Sequence, residues 1–428
     1  MENKTKKLFK NNIVAFPLFF IFFALLAVSR RIDAVTSPGF WAEDGVYWYK
    51  EAYSAVNPIM PFFITKLGYL QVNARLGGYI SQFFDIAYAP LVFNIFALFF
   101  QILPPLFFLS TRFQQIVPKL QIRILLGLAY IGLLGTEETH LNLTNSQWSL
   151  SILMFLIIIA APTGKNILWK IFDVIALLLA GLSGPFVFIA FPIAIAYAFL
   201  INKLKIIWLR IAVLSFTFVI QLYAYFNIVP DIPRSKEELG ANLLDLFRII
   251  SWNVFTSGIL GPIGVIHGPH YSYNIFISVL LPIAIGFIGL AILSYVFYKA
   301  QIEMKFLLIF SFSVLAAGLI SPQVSINTPQ WSVMAEGGGS RYCLLPKLAW
   351  MVSLFWVLFC ADKKIIRSVA GVLLIVYVLI GIPRNWVFYK YTDYHFKSQV
   401  EEFNQLKTGE QYTFIINPGK MEMILNKK

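Results

Sequence analysis

Long apolar stretches recur along the whole chain, and they restrict its fold more than any other feature. A membrane-spanning helix needs about 20 mainly apolar residues. Eleven windows approach that length: residues 12–29, 86–109, 120–136, 147–161, 168–182, 184–201, 206–226, 272–298, 306–321, 345–361 and 367–383. Because backbone polar groups in lipid must be satisfied within their own segment, helices are the expected form. The sequence therefore predicts an all-α polytopic membrane protein with about eleven transmembrane helices.

The composition excludes most other classes of protein. Of the 428 residues, 58% are hydrophobic and only 13% are charged, whereas soluble domains have about a quarter of their residues charged. A soluble single-core enzyme and a disordered chain are thereby excluded. The net charge of +13 suits anionic lipid headgroups, and no soluble basic domain is large enough to suggest nucleic acid as a partner. Cys343 and Cys360 are too few for a disulfide framework.

Basic residues in the short connections predict the orientation, because cytoplasmic loops are enriched in Lys and Arg. Positive charge precedes the first window and then marks every second connection: Lys4, Lys6, Lys7 and Lys10; Arg112, Lys119 and Arg123; Lys165 and Lys170; Lys203, Lys205 and Arg210; Lys299 and Lys305; Lys363, Lys364 and Arg367. The amino terminus is thus predicted to be cytoplasmic and the carboxyl terminus periplasmic. We expect a transmembrane domain over 1–383, with outer loops 30–85, 227–271 and 322–344, and a short periplasmic tail over 384–428.

The first apolar window could also be read as a signal peptide, since Ala27-Val28-Ser29 resembles a cleavage site. Arg30 and Arg31 directly afterwards are unusual at such a site. An uncleaved membrane anchor is the favoured interpretation.

The first outer loop holds two adjacent acids, Glu43 and Asp44, among the aromatic residues of 40–51. If 42–55 is helical, Asp44, Trp48 and Glu51 share one face and Glu43 points elsewhere. An amphipathic helix at the lipid surface would explain the aromatic residues. It would not require an acidic pair, so a chemical role is the alternative.

Two further polar clusters fall on the same predicted face. Residues 137–148 form a short polar connection whose candidate ligand-binding groups are His140, Asn145, Gln147 and Trp148. Buried polar groups at the start of an apolar helix are costly and commonly functional. Residues 337–342 place Arg341 and Tyr342 after a glycine run, with Lys347 following, and Arg75 lies in the first outer loop. An arginine here could bind phosphate in a bidentate manner or only anchor the helix at the interface.

Metal binding has weaker support. His267 and His270 are three residues apart, but Pro269 interrupts the helix that would align them. Glu43 and Asp44 could hold a divalent cation, Mg or Mn, through water. The sequence predicts no protein-built metal site.

The three clusters fit a sugar carried on a polyprenyl phosphate. Its transfer needs a carboxylate base for the acceptor hydroxyl and cations for the departing phosphate, together with aromatic faces for sugar rings. We assign the base to Asp44 or Glu43, Asp44 being preferred because it shares a face with Trp48. Phosphate binding is assigned to Arg341, Arg75 and Lys347. Sugar and acceptor binding is assigned to Trp41, Trp48, His140, Asn145, Gln147, Trp148 and Tyr342.

Four short segments carry a family resemblance: FWAEDG at 40–45, NLTNSQW at 142–148, LSGPF at 182–186 and GGSRY at 338–342. With the predicted topology, they resemble the GT-C superfamily of membrane glycosyltransferases and are similar to the serotype-converting O-antigen glucosyltransferases. Many of those relatives have a larger folded outer domain at the carboxyl end than 384–428 provides, so we expect acceptor selection by loops 227–271 and 322–344.

The resemblance implies a multi-pass protein of the bacterial inner membrane that acts on its periplasmic face. It implies transfer of a sugar, such as glucose from undecaprenyl phosphate glucose, to the O-antigen of lipopolysaccharide, with inversion at the anomeric carbon. A flippase and a donor-synthesising transferase are the implied partners. Two alternatives stay open from the residues: a polysaccharide polymerase or ligase, and a lipid-linked sugar flippase or transporter. The latter would need ionisable groups deep in the spans, of which only Asp173 is a candidate.

Overall fold

The computed structural model describes residues 12–65, 68–201, 204–228, 237–262, 279–325 and 327–428. This part of the chain is mostly helical, as expected. The main helices are Asn12–Arg30, Ala89–Phe108, Leu120–Ile131, Ser146–Ile159, Ile167–Gly181, Val187–Leu200, Leu204–Asn227, Leu281–Lys299, Ile302–Ile320, Leu344–Cys360 and Lys364–Val376. Each of the eleven apolar windows overlaps one of these helices. Some parts of these predictions lie outside the described residues: the start of the window 272–298, the basic residues before residue 12, and Lys203.

Membrane embedding follows from the length and composition of these helices. Among the described residues, 7 helices are long and apolar enough to cross a membrane, and several shorter apolar helices accompany them. The number of crossings and the side on which each terminus lies stay predictions.

One apolar helix lies within the predicted outer loop 227–271. Leu243–Arg248, the π-helical Ile249–Thr256 and Ser257–Leu260 form a continuous helix of 18 residues. Its amino end follows Leu239, whose carbonyl accepts from Trp331 N at 3.0 Å. At its other end, Asn385 Nδ2 donates to Leu260 O at 2.8 Å. Both neighbours lie in segments predicted on the outer face. The prediction of a loop was wrong for residues 243–260, which are helical, and the side of the membrane on which they lie stays a prediction.

Short helices occupy the connections. They are Asp33–Thr36, Asp44–Tyr49, Lys50–Ser54, Met60–Phe63, Val72–Ser81, Ile86–Tyr88, Thr111–Phe113, Glu137–Thr139, Gln330–Ala335 and Ser340–Cys343, with Tyr377–Gly381 and Ile382–Asn385 extending the last long helix. The first outer loop is thus largely helical.

Residues 396–426 form a small folded unit, so the segment expected to be a short tail has a structure of its own. Helix Phe396–Gln405 packs on the antiparallel strands Gln411–Ile416 and Met421–Asn426. Phe403 and Phe414 are fully buried between helix and strands, as the alternation of side chains along a strand allows. The chain is therefore mostly helical rather than entirely so.

The carboxyl-terminal unit is joined to the first outer loop through the backbone. Ala42 N donates to Asn417 O at 2.6 Å, and Asn417 N donates to Phe40 O at 3.2 Å. Phe40 also meets Phe396 edge to face, with ring centroids 5.4 Å apart. The segment that carries the acidic pair is consequently held in place by residues more than 350 positions away in the sequence.

A tight turn joins helices Ile167–Gly181 and Val187–Leu200, as the Ser183-Gly184-Pro185 sequence predicts. Gly184 has φ +98, a conformation that glycine adopts without steric cost. Gly184 N donates to Leu70 O at 2.9 Å, and Gln221 Nε2 donates to Gly184 O at 3.2 Å. The first outer loop is thereby tied to this turn.

Asp173, the acid that the sequence places near a span, belongs to a buried ion cluster. Arg112 contacts its two carboxylate oxygens at 2.6 and 2.9 Å, and Arg210 Nε lies 3.0 Å from the second. A buried carboxylate with two arginine partners is a structural connection between helices. Asp173 therefore gives no support to the transporter alternative.

Gly78 lets helix Val72–Ser81 approach the acidic segment closely, and this predicts an effect on stability. A Cβ atom at Gly78 would lie 2.6 Å from Trp48 O, so Gly78→Ala is expected to lower stability by about 1–3 kcal/mol, the usual cost of overpacking. Gly371→Ala is the matched control, because its Cβ would meet only Leu358 at 3.6 Å. Thermal unfolding in detergent measures both, and equal melting temperatures would contradict the close approach.

Candidate functional site

Asp44 lies buried at the start of the π-helix Asp44–Tyr49, with 2% of its surface exposed. Its Oδ1 accepts hydrogen bonds from Thr144 N at 3.0 Å and from Thr144 Oγ1 at 2.7 Å. Trp48 Nε1 donates to the same Thr144 Oγ1 at 2.8 Å. Asp44 and Trp48, which helical spacing places on one face, thus both bind the Thr144 hydroxyl. Thr144 belongs to the second polar cluster, residues 137–148.

Burial raises the pKa of Asp44 to about 7. The neighbouring charge of Glu43 contributes to the increase, whereas the hydrogen bonds from Thr144 oppose it because they favour the carboxylate. A carboxyl group with a pKa near neutrality can hold or release a proton under physiological conditions. This is the property expected of a general base.

Glu43 is the more accessible of the two acids, being half-buried. It acts electrostatically on Arg341, which lies almost 300 positions further along the chain. The first and third polar clusters are therefore close enough for their charges to interact.

Arg341 is held by the second cluster. Glu138 Oε2 accepts from Arg341 N at 3.0 Å and from Arg341 Nη1 at 3.3 Å, and Arg341 Nη2 donates to Gln323 O. The preceding Gly339 has φ +66, a left-handed conformation that suits glycine and turns the chain into the short helix Ser340–Cys343. About a quarter of the Arg341 side chain is exposed, at 24%, so the side chain is fixed by its contacts and remains partly accessible.

Lys347 lies one helical turn or more beyond Arg341 and is buried, with 1% exposed. Its Nζ donates to Gly135 O, and Glu137 and Glu138 are its acidic neighbours. Lys347 therefore adds positive charge next to Glu137 and Glu138 of the second polar cluster. Its burial makes Arg341 the better placed of the two cations to meet a ligand.

Trp148 and Tyr342 pack edge to face with ring centroids 5.6 Å apart. Within the described part of the chain, Trp148 Nε1 and Gln147 Oε1 are buried and have no hydrogen-bond partner. Asn145 is half-buried and donates from Nδ2 to Glu138 O at 2.8 Å. Tyr342 follows Arg341 and packs on Trp148, Asn145 shares Glu138 with Arg341, and Gln147 lies against the turn at Gly184. The unpaired donor and acceptor match the two functions of a sugar hydroxyl.

Three other predicted binding residues are occupied by structural contacts. Trp48 is buried, with Arg75 stacked on its ring at 4.6 Å. Arg75 itself forms a salt bridge with Glu51 and donates to Ile64 O at 3.2 Å. His140 is buried between Gln101 at 2.8 Å and Ala27 O at 2.9 Å. The assignments of Trp48 and His140 to sugar contact and of Arg75 to phosphate contact are corrected accordingly: these side chains position the site.

Burial also lowers the pKa of His140 well below its ordinary range, helped by the nearby Arg30 and Arg31. The ring is therefore neutral at physiological pH. Neutral imidazole can act as acceptor and donor at once, which is what its two contacts require.

Trp41 stacks on Tyr391 with ring centroids 4.1 Å apart. The guanidinium carbon of Arg31 lies 3.0 Å from the centroid of the Tyr391 ring. One face of Trp41 is thus covered by the chain beyond the last span. Trp41 is half-buried and connects the carboxyl-terminal segment to the acidic loop.

Sequence reasoning missed three residues that shape the site: Thr144, Glu138 and Arg31. Thr144 binds Asp44, Glu138 holds Arg341, and Asp44 acts electrostatically on the buried Arg31. Burial lowers the pKa of Arg31 to about 10. All three lie in or beside the clusters already recognised, but their roles depend on contacts between distant segments.

A protein-built metal centre has no candidate among the described residues, where no three His, Cys, Asp or Glu side chains come together. His267 and His270 lie outside that part of the chain.

Comparison with known proteins gives no relative: no protein-family model, no curated protein and no solved structure matches this chain.

Proposed function

We propose that the protein is a membrane glycosyltransferase that moves a sugar from a polyprenyl-phosphate donor to a glycan acceptor. One observation carries this proposal: a buried carboxyl with a pKa near 7, Asp44, adjoins an accessible acid, Glu43, that interacts with the fixed cation Arg341. Two acids that are adjacent in the sequence and a cation almost 300 positions further along the chain are thus proposed to form one site.

The chemistry requires one proton transfer and one displacement. The Asp44 carboxylate takes the proton of the acceptor hydroxyl as the hydroxyl oxygen attacks the anomeric carbon. The bond between that carbon and the phosphate oxygen breaks, and its electron pair stays on the phosphate. Arg341 stabilises the increasing negative charge. Phosphate is a good leaving group, so the second carboxylate of a glycosidase is not required, and a single displacement inverts the configuration.

Glu43 and the aromatic pair have supporting roles. We assign Glu43 to orienting the acceptor hydroxyl, since it is the more accessible acid of the pair. Trp148, Tyr342 and Gln147 are assigned to the sugar, because Trp148 and Tyr342 pack on each other and because Trp148 and Gln147 carry buried polar atoms without a partner among the described residues. The donor's class, the O-antigen acceptor, the inner membrane and the periplasmic face rest on the sequence resemblance and on the predicted topology.

Arg341 provides a test of phosphate binding. Arg341→Ala is expected to lower kcat/KM for the lipid-linked donor about a hundredfold, as loss of a charge-stabilising donor does. Arg341→Lys is expected to recover part of that loss, because the charge remains but the bidentate geometry does not. Steady-state transfer kinetics with the purified protein measure both.

Arg384→Ala is the matched control, since Arg384 is exposed near the end of the last helix. Melting temperatures separate catalysis from folding, because Arg341 also holds Glu138. An Arg341→Ala protein with wild-type donor kinetics would remove Arg341 from phosphate binding.

A further inference from the structure

A partly open cavity of about 260 Å³ lies between helices of the bundle, away from the acidic site. Its walls come from helices Ala89–Phe108, Leu120–Ile131, Ser146–Ile159, Ile302–Ile320 and Leu344–Cys360. Pro104 and Pro105, both inside a helix, and Gly127 line one side. A proline inside a helix removes a backbone hydrogen bond and bends the helix, and Gly127 allows close packing, because a Cβ atom there would lie 2.9 Å from the Phe23 ring.

The cavity is elongated along helix Leu344–Cys360. Its lining includes Leu348 near one end of that helix and Cys360 at the other. At 1.5 Å per residue this corresponds to about 18 Å. The cavity therefore extends along this helix from just beyond Lys347 to its last residue, a length that an extended hydrocarbon chain can occupy.

The walls are apolar, and polar side chains among them already have partners. Tyr130 OH donates to Ser149 Oγ at 2.9 Å. At the far end, Gln301 Nε2 donates to Ile116 O at 3.2 Å, and Glu303 accepts from Tyr197 OH at 2.9 Å. Apolar cavities do not hold water stably. An apolar occupant is therefore expected.

Basic residues lie within three positions, along the sequence, of lining residues at the far end of the cavity. Lys119 follows the lining residue Pro118, Lys299 precedes Gln301 by two positions, and Lys363 follows Cys360 by three. All three lysines are exposed. They belong to the connections predicted on the cytoplasmic face, where the membrane surface carries anionic lipid.

We propose that this cavity binds one acyl chain of an anionic glycerophospholipid from the inner leaflet, with its phosphate group near Lys119, Lys299 and Lys363. The apolar walls accept the chain, and the lysines select the charge of the headgroup. The chain completes the packing of helix Leu344–Cys360, whose other end adjoins Arg341. This inference does not depend on glycosyl transfer.

Native mass spectrometry of the purified full chain tests the proposal, with phosphatidylglycerol or phosphatidylcholine added. Wild-type protein is expected to retain phosphatidylglycerol at least about fivefold better, the preference that one lysine near a lipid surface provides. Val352→Trp fills the cavity and is expected to abolish this retention. Val372→Trp is the matched control, because Val372 is 59% exposed on the bundle surface.

A triple Lys119→Gln, Lys299→Gln and Lys363→Gln variant is expected to bind both lipids equally. Phosphatidylglycerol retention by Val352→Trp at the wild-type level would overturn the cavity as the site, and equal retention of both lipids by wild-type protein would overturn the anionic headgroup. Displacement of the phospholipid by a long-chain polyprenyl phosphate would assign the cavity to an isoprenoid chain and also overturn the proposal. None of these lipid-binding measurements depends on whether the protein transfers a sugar.

Discussion

Replacing Asp44 with asparagine is expected to lower the rate of sugar transfer about a thousandfold, within the range that general-base catalysis contributes. Asparagine can accept the hydrogen bonds from Thr144 that the carboxylate accepts, but it cannot take a proton. Because the pKa of Asp44 is about 7, the Asp44 carboxyl of the wild-type protein is protonated and neutral in part of the molecules near neutral pH. The variant is therefore expected to fold and to reach the membrane at the wild-type level.

The pH dependence of sugar transfer by the wild-type protein tests which protonation state of Asp44 is active. Asp44 is active as a base only when unprotonated, so kcat/KM is expected to rise as pH increases through about 7 and to level off above it. Glu43→Gln is the comparison variant. It removes a negative neighbour, which lowers the pKa of Asp44, and the rising part of the profile is expected to move to lower pH.

Two results would contradict the assignment to Asp44. One is full activity in Asp44→Asn with normal membrane level. The other is a wild-type profile that is flat across neutral pH and unchanged in Glu43→Gln.

Gly45→Val is expected to lower transfer about a hundredfold, because it separates the acidic segment from the carboxyl-terminal unit. A Cβ atom at Gly45 would lie 2.7 Å from Ile416 Cδ1 and 3.0 Å from Phe40 Cβ. Valine would therefore move Asp44, the preceding residue, and a displacement of about 1 Å can cost a hundredfold in rate. Transfer kinetics measure this loss.

A control variant and a rescue variant test whether the effect of Gly45→Val comes from its contact with Ile416. Gly39→Val adds the same side chain on the same loop, where a Cβ would meet only Asn417 Nδ2 at 3.9 Å, so near wild-type activity is expected. Ile416→Ala in the Gly45→Val background removes the main obstacle and is expected to restore much of the rate. A double variant as inactive as Gly45→Val, or Gly39→Val equally impaired, would show that docking against Ile416 does not position the acids.

The fold class could be predicted from the sequence because the bilayer imposes a length and a composition on each span. All eleven apolar windows overlap helices. The convergence of the clusters was also predictable in part, since Asp44 and Trp48 share a helical face and meet Thr144 in the second cluster. The third cluster reaches the same region through Arg341 and Glu138.

Other features depend on partners that lie far apart in the sequence. From the sequence alone, Arg75 is a candidate phosphate-binding cation and His140 a candidate ligand-binding residue. In the structure, Arg75 forms a salt bridge with Glu51. His140 contacts Gln101 and the Ala27 carbonyl. The helix Leu243–Leu260 was missed because Asp245 and Arg248 interrupt its apolar pattern. In the carboxyl-terminal segment, the alternation of Phe414 and Ile416 as buried residues is a strand pattern that sequence reasoning could have used.

The most direct test of the account is transfer by the purified protein in proteoliposomes, comparing a sugar on polyprenyl phosphate with the same sugar on a nucleotide. The account predicts a glycan product of inverted configuration from the lipid donor, none from the nucleotide donor, and loss of the product in a Glu43→Gln, Asp44→Asn double variant. Product formation from the nucleotide sugar alone, or an active double variant, would contradict it.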